Sequence, residues 1–256
     1  MTVLIEKKGK IFTVIIDRPD VKNCIDEPTG KALADAFREF EKDDAFSVAV
    51  LCGNGNTFCA GWDLKAAVNI GQERISQLTP DDDGPMGPTK MLLTKPVIAA
   101  ISGHAVAGGL ELALWCDLRV MEESAIMGVF CRRFGVPLID GGTVRLPRLI
   151  GMSHAMDLIL TGRSVGAKEA KHIGLANRIV ENGTARESAE ELAAQIAKFP
   201  QLCLRSDRMS AYEQWGKSFD DALKNEFRRG IEVGTAKGAL DGAESFTNGI
   251  GRHGEF

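Results

Sequence analysis

The first half of the chain contains short, well-separated runs of hydrophobic residues, which are typical of buried β-strands. The runs Val3-Leu-Ile5 and Ile11-Phe-Thr-Val-Ile-Ile16 are separated by a polar, glycine-containing segment and predict a β-hairpin. Further runs at residues 48–52, 97–101 and 118–121 predict three more strands. Each of these runs is followed or preceded by a turn that contains glycine or asparagine, so the strands are expected to be short.

A helix is predicted between the second and third of these strands, over residues 28–42. Its apolar residues Leu33, Phe37 and Phe40 recur at helical spacing, and Asp26 precedes the segment as a suitable N-terminal cap. Because strands and helices alternate in this way, we predict an α/β fold.

The second half of the chain has helical periodicity almost throughout, with one short strand predicted at residues 177–180. The predicted helices cover residues 153–161, 167–172, 185–198, 201–214 and 218–229. We therefore predict two parts, a core of residues 1–190 and a C-terminal helical region of residues 191–256. A helical region of this kind is expected to take part in oligomerisation, although it could equally fold back on its own core, and the sequence does not separate the two.

Residues 69–90 interrupt the regular pattern with the polar segment Asp81-Asp-Asp-Gly-Pro-Met-Gly-Pro88. This segment has two interpretations, a mobile lid beside a site or a plain solvated loop. Loops rich in glycine and proline usually lie on the surface, which favours the solvated loop.

Composition narrows the possible partners. The 256 residues are 44% hydrophobic and carry a formal net charge of −4, without a basic block that would bind nucleic acid. No apolar stretch reaches the length of about 18 residues that a membrane helix needs, and the N-terminus has no signal-peptide pattern. The six cysteines include no C-x-x-C pair, so neither a metal site nor a disulfide framework is expected. We expect a cytoplasmic protein that binds neither nucleic acid nor membranes.

One carboxylate, Glu111, lies in the otherwise apolar run Val106-Ala-Gly-Gly-Leu-Glu-Leu-Ala-Leu-Trp115. The pair Gly108-Gly109 before it predicts the start of a helix. Burial among apolar side chains disfavours the ionised form and raises the pKa, which suits the group to proton transfer near neutral pH. Glu111 could instead cap the helix or pair with a buried arginine, and this segment alone does not separate the two interpretations.

Four sequence segments, taken together, resemble those of a known family. They are Asp17-Arg-Pro-Asp-Val-Lys-Asn23, Thr57-Phe-Cys-Ala-Gly-Trp-Asp-Leu64, Lys95-Pro-Val-Ile-Ala-Ala-Ile-Ser-Gly-His-Ala-Val-Ala-Gly-Gly-Leu-Glu-Leu112 and Cys116-Asp-Leu-Arg-Val120. In this order and spacing they resemble the crotonase family, also called the enoyl-CoA hydratase/isomerase family. The resemblance implies a spiral of repeated ββα units that forms a homotrimer or a dimer of trimers. It also implies an acyl-CoA thioester substrate, with coenzyme A as part of the substrate and no separate cofactor.

The resemblance also implies roles for individual residues. The family binds the thioester oxygen with two backbone N–H groups, whose positions match Trp62 and Gly108. Donors fixed at these positions would stabilise the charge that develops on the oxygen, although glycines there would also permit tight packing. The family's contacts to coenzyme A match Lys22, Ala60, Asp63, Leu64 and Lys65. A lysine at such a position is more often a solvated surface charge.

The sequence departs from the pattern of the family's hydratases at one position. Those enzymes use two glutamates, one matching Glu111 and the other matching Cys131, so the second acid is absent here. We interpret Cys131 as a small apolar filler rather than a nucleophile. Asp140 is the candidate replacement acid or base, although it could instead cap the helix predicted to follow it. His104 is a further candidate for the site.

These residues predict an acyl-CoA enzyme in which an oxyanion hole stabilises a thioester enolate while Glu111 transfers a proton, with Asp140 as a second catalytic group. Hydration of a 2-enoyl-CoA is the default activity. Double-bond isomerisation, or another crotonase-family reaction, is the alternative because Cys131 replaces a glutamate. A non-catalytic acyl-CoA-binding protein is the alternative of another class, and the presence of Glu111 argues against it.

Overall fold

The structure is a computed structural model that describes residues 1–66, 68–69, 79–236, 242–244 and 246–249. The chain divides into two compact units, residues 1–194 and residues 195–256. The strands described below belong to the first unit.

A six-stranded sheet in the order β1-β2-β3-β4-β6-β9 forms the centre of the first unit. Its strands are β1 (Val3–Lys8), β2 (Ile11–Ile16), β3 (Val48–Gly53), β4 (Val97–Ile101), β6 (Leu118–Glu122) and β9 (Arg178–Val180). The first two strands form an antiparallel hairpin, and the remaining neighbours pair in parallel. The hairpin and the four other predicted strands are therefore confirmed.

A smaller sheet contains β5 (His104–Val106), β7 (Ile126–Gly128) and β8 (Val165–Gly166). Strand β4 belongs to the larger sheet and β5 to the smaller one, and a helix follows them. The preceding segment has the same order. There, β3 is followed by Cys59, which forms a parallel bridge with Ala105 of β5, and then by helical residues 64–66. Equivalent turns of successive ββα units consequently lie side by side.

The helices follow the predicted positions closely. They are α1 (Glu27–Lys42), α2 (Gly108–Trp115), α3 (Gly142–Ile150), α4 (Met152–Thr161), α5 (Ala167–His172), α6 (Ala185–Lys198), α7 (Gln201–Glu213) and α8 (Phe219–Gly234). At the start of α1, Asp26 accepts a hydrogen bond from the N–H of Thr29 (3.0 Å), as predicted for a cap. None of the helices in the described part of the chain is long and apolar enough to cross a membrane.

The second unit contains the packed helices α7 and α8. Arg229 of α8 donates to Glu213 of α7 (Nε to Oε2, 2.8 Å). Large apolar side chains of this unit nevertheless remain exposed, among them Trp215, Phe219 and Phe227. Exposed apolar side chains in such number are typical of a surface that another protein covers.

The segment predicted as a solvated loop is partly buried. Residues 70–78 lie outside the described residues, but Gly84 and Met86–Thr89 are buried. The segment packs against α1 so closely that a Cβ on Gly30 would lie 2.6 Å from the carbonyl oxygen of Pro85. The solvated-loop interpretation is therefore wrong for residues 84–89, because backbone contact with α1 removes them from water.

Candidate active site

The first unit encloses a cavity of about 1020 Å³. This volume is typical of a site for a small molecule or cofactor. Its lining includes most of the residues predicted to form a site, together with Met86: Lys22, Ala60, Trp62, Leu64, Met86, His104, Gly108, Glu111, Cys131 and Asp140. The fold thus brings together residues that are far apart in the sequence.

The pairing of two successive ββα units places Trp62 next to Gly108. Cys59 and Ala105 form a parallel bridge, and Trp62 and Gly108 each lie three residues further along their segments. The two segments stay in contact beyond the bridge, because a Cβ on Gly61 would lie 3.0 Å from the nitrogen of Gly108. Gly61 also has a φ of +101°, which favours glycine. Both the contact and the backbone conformation therefore require glycine at position 61.

Trp62 and Gly108 both line the cavity, and their N–H groups are candidates for binding an oxygen there. Around Trp62, the N–H of Ile25 donates to the carbonyl oxygen of Gly61, and the N–H of Asp63 donates to the carbonyl oxygen of Ile25. The N–H of Trp62 takes part in neither bond. Gly108 is the first residue of α2, where N–H groups have no acceptor within the helix. No described residue accepts a hydrogen bond from either group. Ala107, just before α2, has a φ of 54°, a strained conformation of the kind that is often found at functional sites.

Glu111 is held by backbone N–H groups of a neighbouring turn. Its Oε1 accepts hydrogen bonds from the N–H of Asp140 (2.9 Å) and of Gly142 (2.8 Å), and its side chain is only 2% exposed. Gly142 is the first residue of α3, so Glu111 caps a different helix from its own. Within the described part of the chain, no group donates to Oε2. One oxygen of this carboxylate therefore fixes its position, and the other has no donor among the described residues.

Opposing effects set the pKa of Glu111. Burial disfavours the charged form and is the largest effect, raising the pKa to about 7. The N–H of Gly142 stabilises the carboxylate and lowers the pKa, whereas the negative charge of Asp140 raises it. The positive charge of Arg145 has the smallest influence of these. Glu111 can therefore gain and lose a proton close to neutral pH.

Asp140 is 3% exposed, and its carboxylate binds the segment 84–89. Its Oδ1 accepts hydrogen bonds from the N–H of Met86 (3.1 Å) and the hydroxyl of Thr89 (2.5 Å). It does not cap α3, whose N-cap residue is Gly141 and has no side-chain cap. That alternative is wrong because the carboxylate points to the other segment. Burial raises the pKa of Asp140, and the hydroxyl of Thr89 opposes this.

Cys131 lies on a 3-10 helix, Phe130–Phe134, and is 7% exposed in the cavity wall. Burial raises the pKa of its thiol, and the nearby charge of Glu111 raises it further. The thiol is therefore protonated at neutral pH, which agrees with the interpretation as an apolar filler. His104 also lines the cavity and is half-buried.

The residues predicted to contact coenzyme A separate into two groups. Lys22, Ala60 and Leu64 line the cavity, whereas Asp63 and Lys65 are not among the described residues that do so. Instead, Asp63 accepts a hydrogen bond from the N–H of Lys65 (3.1 Å) and pairs with Arg18 (3.1 Å). The carboxylate of Asp63 therefore fixes the turn that carries Trp62, and a contact of Asp63 with coenzyme A stays a prediction.

Sequence reasoning missed three residues that shape the site. Arg18 pairs with both Asp26 and Asp63, and buried Asn23 donates to the carbonyl oxygen of Thr57 (2.6 Å). Arg18 and Asn23 belong to a segment that carries the family resemblance, so that segment could have indicated them. Met86 lies in a breaker-rich stretch, and no periodicity there signals burial.

Comparison with known proteins identifies relatives along most of the chain. The sequence model of a family described as enoyl-CoA hydratase/isomerase matches residues 6–229. The enoyl-CoA hydratase EchA19 of Mycobacterium tuberculosis is 34% identical over 253 residues, which cover 95% of this chain and 92% of that protein. The carnitinyl-CoA dehydratase of Proteus mirabilis is 38% identical over 203 residues, which cover 77% of this chain and 75% of that protein.

Solved structures give the same result for the fold. The enoyl-CoA hydratase EchA1 from Mycobacterium marinum superimposes with a TM-score of 0.90 at 34% identity and covers 96% of both chains. An enoyl-CoA hydratase from Mycobacterium tuberculosis also gives a TM-score of 0.90, at 36% identity and with 96% of both chains covered. These similarities confirm the predicted α/β fold of the crotonase type with its C-terminal helices.

Proposed function

Because the chain belongs to the enoyl-CoA hydratase/isomerase family, a family of enzymes that act on coenzyme A thioesters, we propose that it stabilises a thioester enolate in the cavity. In this proposal the N–H groups of Trp62 and Gly108 bind the thioester oxygen, and Glu111 transfers the proton at the adjacent carbon. One observation carries the proposal: two N–H groups without described acceptors line the same cavity as a carboxylate with one free oxygen.

The two N–H groups would supply most of the catalytic stabilisation. When the α-carbon loses a proton, negative charge moves to the thioester oxygen, and donors that are already in place stabilise it without reorganising. Loss of one such donor typically slows a reaction by about 10²–10³-fold. Gly108 contributes at the start of a helix, where the helix dipole adds to the effect.

Hydration of a 2-enoyl-CoA is the activity that we put first. The names of EchA19 and of the carnitinyl-CoA dehydratase denote addition or removal of water on coenzyme A thioesters, which supports this choice. Water must add to the β-carbon while the α-carbon receives a proton. We propose that Glu111 performs the proton transfer and that Asp140 assists through Oδ2, to which no described residue donates.

Double-bond isomerisation is the second candidate, and Cys131 favours it. An isomerase needs only one group to remove a proton from one carbon and return it to another, whereas hydration also needs a positioned water. Glu111, with a pKa of about 7 and one free oxygen, suits such a shuttle.

The proposed reactions can be separated by mass spectrometry in D2O. Purified protein is incubated with 2-enoyl-CoA and 3-enoyl-CoA thioesters of several chain lengths. Hydration adds the mass of D2O, whereas isomerisation moves the double bond and exchanges hydrogen for deuterium without adding water. Binding of the thioesters with neither product nor exchange at the α-carbon would overturn the proposal in favour of a binding protein.

Contacts to coenzyme A and the assembly state complete the proposal. Lys22, Ala60 and Leu64 line the cavity and would contact the coenzyme A moiety, with Lys65 available to its phosphates from the surface.

Exposed apolar residues on the C-terminal helices, such as Phe219 and Phe227, support a homotrimer or dimer of trimers. Light scattering of the purified protein tests the assembly. A cytoplasmic location remains part of the proposal.

A further inference from the structure

The flexible side chain of Met86 lines the cavity and packs against Gly108. A Cβ on Gly108 would meet the Sδ, Cγ and Cε atoms of Met86 at 2.5, 3.0 and 3.1 Å. The thioether chain therefore lies directly against the Cα of Gly108, which also lines the cavity. Met86 is 1% exposed, so its side chain is closely packed.

Hydrogen bonds and close packing hold the backbone around Met86. Its N–H is bound by Asp140, and the next N–H, of Gly87, donates to the carbonyl oxygen of Gly84 (2.7 Å). On the other side, a Cβ on Gly87 would lie 2.5 Å from the carbonyl oxygen of Gly30 in α1. With the backbone fixed on both sides, the room in this part of the cavity depends on the side chain at position 86.

Met86 lines the same cavity as Glu111 and is linked to it through Asp140. Glu111 must reach the α-carbon, which belongs to the acyl group, and Glu111 accepts a hydrogen bond from the N–H of Asp140. The carboxylate of Asp140 in turn binds the N–H of Met86. Met86 is thus joined through one residue to the group that acts on the acyl chain.

We propose that Met86 determines substrate specificity by limiting the length of the acyl group, so that the protein prefers short-chain acyl-CoA thioesters. This inference rests on the function proposed above. A long acyl chain has to displace the thioether chain from its contact with Gly108, whereas a short one leaves the contact intact. One methylene in an apolar pocket changes discrimination by about tenfold or more, and shortening Met86 to alanine removes three heavy atoms.

The test measures binding, so that it does not depend on turnover. Isothermal titration gives the affinities of butyryl-, octanoyl- and dodecanoyl-CoA for the wild type and for Met86→Ala, Met86→Val and Met86→Phe. Met86→Ala is expected to raise the affinity for dodecanoyl-CoA relative to butyryl-CoA by about tenfold. Met86→Val is expected to give a smaller rise, and Met86→Phe a fall. Met121→Ala is the matched control, because Met121 is buried in β6 and is not among the lining residues.

The outcomes separate this inference from the proposed function. An unchanged affinity ratio in all three Met86 variants, each shown to be folded by thermal unfolding, would overturn the role of Met86 and leave the function standing. A shifted ratio in Met121→Ala would also overturn it. A wild type that binds the thioesters with the expected preference but turns over no enoyl-CoA would support Met86 and count against the function. Failure to bind any thioester would overturn both.

Discussion

Two parts of the cavity wall, around Glu111 and around Cys131, differ in how they are built. These two positions match the two glutamates of the family's hydratases. The first is Glu111 on α2, where two backbone N–H groups hold one oxygen and leave the other free. The second is Cys131 on the 3-10 helix Phe130–Phe134, where a thiol takes the place of the acid. Both side chains line the same cavity and are buried, and the charge of Glu111 raises the pKa of the Cys131 thiol.

In the proposed mechanism, only the Glu111 part of a two-acid site supplies an acid. The Glu111 part retains everything that a proton-transfer group needs: a fixed position, a free oxygen and a pKa of about 7. The Cys131 part retains the burial but supplies no group that ionises near neutral pH. Among the acids that line the cavity, Glu111 and Asp140 are the buried ones, and our proposal places the proton transfer on Glu111.

The largest effect is expected from Glu111→Gln. The amide oxygen of glutamine can accept both N–H groups, so the side chain stays in place, but it cannot take up a proton at neutral pH. We expect turnover of enoyl-CoA and deuterium exchange at the α-carbon to fall by about 10²–10⁴-fold, with the affinity for a saturated acyl-CoA unchanged. Asp140→Asn is the comparison, and a smaller loss is expected there. Full turnover in Glu111→Gln would assign the base to another residue.

The stability of the protein should also depend on Glu111 and pH. Its pKa rises from 4.5 to about 7 on folding, so the folded state favours the protonated form. The associated stabilisation is present below about pH 4.5 and is lost as the pH rises through about 7, a change on the order of 3 kcal/mol. Urea unfolding of wild type and Glu111→Gln between these pH values measures it. We expect the variant to gain stability relative to the wild type across this window, and parallel curves would contradict the raised pKa.

Gly108 and Gly109 allow a second comparison within the Glu111 part of the wall. A Cβ on Gly109 would lie 2.1 Å from the carbonyl oxygen of Cys59, which is backbone, whereas a Cβ on Gly108 would meet only the flexible chain of Met86. Gly109→Ala is therefore expected to reduce the free energy of unfolding by about 3 kcal/mol, and Gly108→Ala by about 1 kcal/mol. Chemical unfolding checks both values. Equal losses would mean that the contact with Cys59 yields as easily as a side chain does.

Much of this arrangement could be predicted from the sequence, because it depends on local patterns. Apolar runs predicted the strands, helical spacing predicted the helices, and an acid in an apolar run drew attention to Glu111. The family segments then connected Trp62 to Gly108, which no local pattern could do, since the two lie in different ββα units. The raised pKa of Glu111 followed from its apolar neighbours, and burial is indeed its largest cause.

The remainder could not be predicted, because it depends on contacts between distant segments. Asp140 had been considered either as a catalytic acid or as a helix cap, yet its carboxylate binds Met86 and Thr89, about fifty residues earlier in the chain. The burial of Met86 depends on the packing of Gly84 and Gly87 against other segments. A sequence rich in glycine and proline suggests exposure unless the close packing that those glycines permit is known.

The smallest effect, and the most direct test of the difference between Glu111 and Cys131, is expected from Cys131→Glu. A carboxylate at position 131 would supply the acid that the family's hydratases have at the matching position, and hydration of 2-enoyl-CoA is expected to increase by about tenfold. Cys131→Gln is the matched control, because it has the same size but cannot transfer a proton, and no increase is expected there. In the glutamate variant, the carboxyl groups at positions 111 and 131 would also repel each other's negative charge, which moves their pKa values apart. The pH profile of hydration should therefore change from one ionisation to two. If the glutamate and glutamine variants hydrate the substrate equally well, the absent acid is not what limits this enzyme, and the two positions differ in shape rather than in chemistry.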